Sequence, residues 1–101
     1  MNRVPKKWKV HHPRLEVLNK FLATGPAFLA ASVTNRIGQL GWSDGLTVDA
    51  AEKRMSEEIK AFCRADIKPG TLHSYYLGRR TPTGDTIRIL LKYFLDPRSE
   101  R

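Results

Sequence analysis

An all-α domain of five helices is the fold class this sequence predicts, and three observations point to it. No segment sustains the alternation of apolar and polar residues that marks a half-buried strand. Apolar residues instead recur at intervals of three and four along several stretches. Prolines and glycines stand at the ends of those stretches, at Pro13, Gly25-Pro26, Gly45, Pro69, Gly78 and Pro97. With 101 residues, 41% of them hydrophobic, the chain suits one small core and is short for two.

The elements follow in order. Residues 1–12 hold Pro5, three lysines, one arginine and two histidines, with little to bury beyond Val4, Trp8 and Val10, and read as a flexible basic arm. A helical domain over 13–96 and a short tail over 97–101 complete the division. Pro13 suits a first helical turn. Leu15, Leu18 and Leu22 then share a face, flanked by Val17 and Phe21, to about Ala23. Pro26 opens a second helix with Leu29, Val33, Ile37 and Leu40 on one stripe. Gly38 and Gly41 weaken its end, and Gly41 to Gly45 reads as a turn. Thr47 is a good N-cap for a third helix, with Asp49 in the first turn to favour the helix dipole. Ala51, Met55, Ile59 and Phe62 form its stripe to about Ala65, and Ser56 stands where a break could fall. A fourth, short helix covers about Pro69 to Leu77, with Leu72 and one of Tyr75 and Tyr76 inward. Thr83 is the expected N-cap of the fifth, whose Ile87, Leu90, Leu91, Phe94 and Leu95 form a strong amphipathic pattern ended by Pro97.

Charge narrows the function. The formal net charge is +8, which suits a polyanionic partner, most often nucleic acid. It is also segregated. Residues 1–20 carry six lysines and arginines against one acid, residues 21–66 five against six, and residues 67–101 seven against three. Both ends are basic and the middle is near neutral. Cys63 is the only cysteine, which fits a reducing compartment. No apolar run reaches membrane-spanning length, and no apolar region follows the basic N-terminus as in a secretory signal. His11, His12, His73 and Cys63 do not have zinc spacing. No nucleophile–base pair or glycine-rich phosphate loop stands out, so an enzyme, a metal site and a cofactor are not expected. Asp49, Glu52, Glu57 and Glu58 read as a solvated helix face, and Cys63 as a small buried residue.

The densest information lies between Lys68 and Thr83. A short helix enters through Pro69 and stops at Gly78, and Arg79, Arg80 and a Thr81-Pro82-Thr83 turn follow. The segment from Glu58 to Leu95 resembles the phage-repressor helix-turn-helix family, the lambda repressor, Cro and XRE type. Ala61 and Phe62 match its apolar–small pair, Ala65 and Ile67 the apolar pins of its turn, and Leu72 the buried residue of its recognition helix. Tyr75 through Pro82 matches its aromatic, variable, glycine, basic, basic, x, proline ending. Asp66 stands where the family usually has glycine, and Tyr76 where glutamate is frequent. The helix before the turn is also longer than the family's. A second register would take Leu46 to Arg54 as the first helix of the motif with an insertion after it; the spacing from Ile67 to Leu72 favours the later start.

The resemblance implies a sequence-specific transcriptional regulator of double-stranded DNA, cytoplasmic, nucleoid-associated when bound, and of bacterial or phage type. It implies base contacts from Lys68, Thr71, His73 and Ser74. Gly70, Arg79, Arg80 and Thr81 would meet phosphates, as would Arg3, Lys6, Lys7 and Lys9 of the arm. None of the base-facing residues is the bidentate arginine or glutamine that discriminates strongly, so shape readout, a second subunit or a partner would supply the rest. For a homodimer, or docking to RNA polymerase or a second regulatory protein, the first two helices are candidates, since the resemblance leaves them free; the sequence does not show which helix makes the contact. The alternative is a protein-interaction module, an antiactivator or co-regulator, that keeps the fold without binding DNA. RNA binding through the arm and the tyrosines is a third reading.

Overall fold

The structure, a computed structural model, describes residues 13–100. The arm, with Arg3, Lys6, Lys7, Lys9, Trp8, His11 and His12, lies outside them. Helices α1 (Pro13–Thr24), α2 (Pro26–Asp44), α3 (Val48–Cys63), α4 (Pro69–Tyr76) and α5 (Asp85–Leu95) are followed by a 3₁₀ turn, Pro97–Glu100. No strand occurs among the described residues, and none of their helices is long and apolar enough to cross a membrane.

α2 is the axis of the fold, touching all four other helices. Its Leu29, Val33, Ile37 and Leu40 are buried, meeting Ala51, Met55, Ile59 and Cys63 of α3, Leu72 and Tyr75 of α4, and Leu90 and Tyr93 of α5. α4 rests chiefly on α2 and α3, whereas α1 packs on α2 and α5. The short helix and the N-terminal helix thus share α2 and differ in their second neighbour, α3 for the one and α5 for the other. Thr47 caps α3 as expected, its hydroxyl accepting from the Ala50 N–H at 3.2 Å. Burial pushes the Cys63 thiol pKa up, which keeps it protonated and unreactive.

Several expectations are corrected. The Gly41–Gly45 turn is mostly helix: α2 continues to Asp44 and ends at Gly45, whose φ of 67° is left-handed. Gly41 is there for room, since a Cβ would lie 3.2 Å from the Leu46 carbonyl oxygen. On α1 two leucines of the expected stripe do not face inward. Leu18 and Leu22 are exposed, and it is Phe21 that packs against the core. α3 stops at Cys63, not Ala65, and Ser56 marks no break; its hydroxyl donates to the Ile67 carbonyl at 2.6 Å and ties the following connection down. Ala61 is exposed. The N-cap of α5 is Gly84, without a side-chain cap, while Thr83 contributes only its carbonyl, to the Thr86 N–H. On α5, Leu90 and Tyr93 are fully buried and Ile87, Leu91 and Phe94 half-buried. Beyond Pro97 the chain still packs, with Ser99 buried.

The expected solvated acidic face of α3 also divides. Glu58 sits within the fold and joins three helices. Tyr93 donates to its Oε1 at 2.5 Å, and Arg36 Nη2 donates to both carboxylate oxygens at 3.0 and 3.2 Å. Arg36 Nε donates in turn to the Tyr93 hydroxyl at 3.1 Å. Burial opposes the charge on Arg36, but Tyr93 and Glu58 outweigh it and hold its pKa above the ordinary value. Burial, with the bond to Glu58, drives the Tyr93 phenol pKa well above its usual range. A buried ion pair completed by a third hydrogen-bonding group leaves no charge uncompensated.

Candidate nucleic-acid interface

α4 begins at Lys68, whose extended backbone (φ −68°, ψ 147°) turns the chain into the helix at Pro69. The Lys68 carbonyl accepts from Thr71 and Leu72. Its side chain makes no cap and is exposed. Proline suits the first turn because the N–H it lacks would have no intrahelical partner there. Leu72 and Tyr75 turn inward and are buried. At about 100° per residue, Gly70, Ser74 and Leu77 then align on the opposite side. Gly70 is exposed, Ser74 half-buried and Leu77 44% exposed. Gly70 has nothing within 4 Å of where a Cβ would stand, so a ligand backbone can approach it closely.

The four expected base-contacting residues differ in freedom. Lys68 is exposed and Thr71 half-buried. The Ser74 hydroxyl donates to the Gly70 carbonyl at 3.2 Å, which leaves its lone pairs as acceptors for an incoming group. His73 is held most firmly. Its Nδ1 lies 2.7 Å from Glu52 Oε2, and its ring stacks beside Tyr76 at 6.2 Å. Glu52 itself is buried, at 3% exposure, which again departs from the solvated face expected of it. With Nδ1–H donating to the carboxylate, Nε2 accepts in the neutral ring and donates in the protonated one. Both forms are oriented by α3.

α4 ends in a Schellman arrangement that places the two arginines. Gly78 is left-handed, with φ of 73°. Its N–H bonds to the Tyr75 carbonyl at 3.0 Å, and the Arg79 N–H reaches back to the Ser74 carbonyl at 2.9 Å. Arg79, Arg80 and Thr81 are exposed, between buried Tyr75 and buried Pro82. Neither arginine has a carboxylate within ion-pair distance among the described residues, in contrast to Arg36, Arg54, Arg88 and Arg98. The anchored backbone thus holds a pair of cations with no counter-ion among the described residues.

The described site residues, Lys68, Gly70, Thr71, His73, Ser74, Arg79, Arg80 and Thr81, therefore lie on one short helix and the loop that leaves it. Leu77 was missed; its signal was the seven-residue step from Gly70, and an exposed leucine on such a face can meet a thymine methyl. Glu52 was missed as the group that holds His73, because no local pattern links residues 21 positions apart. Both candidate registers for the motif draw on α3, one uninterrupted helix over Val48–Cys63, although Leu46 and Thr47 of the second register precede it. Comparison with family models, with characterised proteins and with solved structures finds no match to this chain.

Proposed function

We propose that this chain is a sequence-specific DNA-binding transcriptional regulator of the phage-repressor helix-turn-helix kind. It inserts α4 into the major groove, with Lys68, Thr71, His73 and Ser74 at base edges. Arg79, Arg80, Thr81, the Gly70 backbone and the arm residues Arg3, Lys6, Lys7 and Lys9 meet phosphates. One observation carries the reading: an eight-residue helix, α4, buries Leu72 and Tyr75, turns Gly70, Ser74 and Leu77 outward, and runs into a fixed loop bearing two arginines without carboxylate partners among the described residues. Phosphate contacts set register and side chains on the outward face read sequence, the division such a surface suits. A cytoplasmic, nucleoid-associated location follows from that reading.

Selection from random oligonucleotides with the purified chain supplies a preferred site, and a salt series then tests the roles. Arg79→Ala and Arg80→Ala should weaken specific and random duplexes alike. Each should lower the slope of log affinity against log salt by about 1. Ser74→Ala should change preference between duplexes and leave the slope in place. Arginine variants that bind like the parent at every salt concentration would refute the phosphate assignment.

One observation favours the second reading, a protein-interaction module. Trp42 is 91% exposed, at the rim of an open groove of about 620 Å³ lined also by Val17, Phe28 and Phe94. Exposed apolar clusters of this kind commonly mark protein contacts. A homodimer, or docking to RNA polymerase or a second regulator, fits on this face while α4 stays free. A parent chain that selects no duplex would leave the interaction module as the better reading.

A further inference from the structure

We infer that Arg64, with Lys60 beside it, forms a second phosphate-binding point of this chain, for a backbone phosphate of duplex DNA next to the entry of α4. The inference rests on the DNA-binding reading above. It starts from backbone geometry. Arg64 has φ of 52° and is the one non-glycine residue with positive φ among the described residues; Gly25, Gly45, Gly78 and Gly84 occupy the others. Its N–H bonds to the Lys60 carbonyl at 3.0 Å, which closes α3 with a left-handed residue. That position favours glycine, because a Cβ there crowds the backbone.

Nothing within the fold explains an arginine there. Its side chain is exposed and has no carboxylate within ion-pair distance among the described residues, and the cap uses only its backbone. A residue kept in a disfavoured conformation without a compensating internal contact points to a use outside the fold.

The surroundings say what that use is. Lys60 lies one helical turn before Arg64, and the two line a shallow hollow of about 350 Å³ with Ala65 and Asp66. Lys60 stands only about 40° around α3 from Ser56, whose hydroxyl holds the connection at Ile67. Lys60 is therefore on the side of α3 that carries the entry to α4, and exposed Lys68 opens that helix. Three exposed bases, Lys60, Arg64 and Lys68, face one acid, Asp66, between residues 60 and 68. Buried Ile67 keeps the connection in place. Cations held at the mouth of a groove-reading helix suit a phosphate, and a guanidinium binds one bidentately.

Arg64→Gly separates the two consequences of this residue, since glycine relieves the backbone and removes the cation. The full chain is compared with Arg64→Gly and Arg64→Lys by thermal denaturation and by binding to a random duplex across a salt series. Arg64→Gly should melt about 4 °C higher. It should bind about fivefold more weakly, with a salt slope smaller by about 1. Arg64→Lys should keep the slope and gain no thermal stability. Parent-like binding by Arg64→Gly, or a lower melting temperature, overturns the inference while the DNA-binding reading stands. A parent that binds no duplex removes both.

Discussion

Replacing Tyr93 with phenylalanine removes one oxygen and tests the central network of the fold at two pH values. That hydroxyl donates to Glu58 at 2.5 Å and accepts from Arg36 Nε at 3.1 Å, in a residue with no exposed surface. A hydrogen bond to a charged group contributes about 1.5–3 kcal/mol. The two losses do not simply add, because Arg36 Nη2 still holds both Glu58 oxygens and neither charge is orphaned. The expected cost at pH 7 is about 2–3 kcal/mol. The pH dependence has the opposite bias. The buried phenol ionises well above the ordinary value near 10. The native state therefore retains a proton that the unfolded chain releases. The associated stability is fully present below about pH 10 and falls as pH rises, by up to about 1.4 kcal/mol per pH unit. Tyr93→Phe lacks this loss, so the gap between parent and variant should shrink by about 1 kcal/mol between pH 10 and pH 11. Urea unfolding followed by circular dichroism at both pH values and at pH 7 measures it. A gap that stays constant to pH 11, or no gap at pH 7, would refute the reasoning.

Leu90→Ala should cost about 2–5 kcal/mol, while Leu91→Ala, at a half-buried site, should cost clearly less; equal losses in thermal melts would mean that the inward face of α5 is wrongly assigned. Gly78→Ala meets nothing within 4 Å, so its effect is confined to the left-handed φ of 73° and should be about 1 kcal/mol of lost stability. Duplex binding should fall by more than that stability loss explains, because Arg79 and Arg80 are placed by the same turn, and unchanged binding would count against it.

The helices were legible because their ends carry chemistry: Pro26 and Pro69 open helices, Gly78 closes one, and Thr47 caps α3 as its position suggested. The misreadings have physical causes. Gly41 resembled a stop, yet it lies inside α2, where a Cβ would crowd the returning Leu46 carbonyl at 3.2 Å. On α1, the leucine stripe and the stripe with Val17 and Phe21 are adjacent and both apolar. Only the position of α2 and α5 decides between them. Tyr93 was overlooked beside a row of aliphatic residues, although it is the largest fully buried side chain of the fold. Glu52 and Glu58 looked solvated because the groups that bury them, His73, Arg36 and Tyr93, lie far away in sequence. Of the candidate site, the arginines and the outward helix were readable; the fixing of His73 and the conformation of Arg64 were not.

These long-range pairings also change what the net charge of +8 means. Glu58 is spent on Arg36 and Tyr93, and Glu52 is buried against His73. Asp44, Asp85 and Asp96 each pair with an arginine, Arg54, Arg88 and Arg98. These five acids thus neutralise bases away from α4 or withdraw from the surface, while exposed Asp66 stays beside Arg64. Exposed bases without a carboxylate partner among the described residues stand at both ends of α4, with Lys60, Arg64 and Lys68 before it and Arg79 and Arg80 after it. Each end contains a left-handed residue, Arg64 ahead of the helix and Gly78 behind it. At Gly78 the residue that relaxes the backbone stands next to the cations; at Arg64 the cation itself occupies the strained position. A surface selected only for solubility gives no reason for the second arrangement, whereas a polyanion running past both ends of α4 gives the same reason for both.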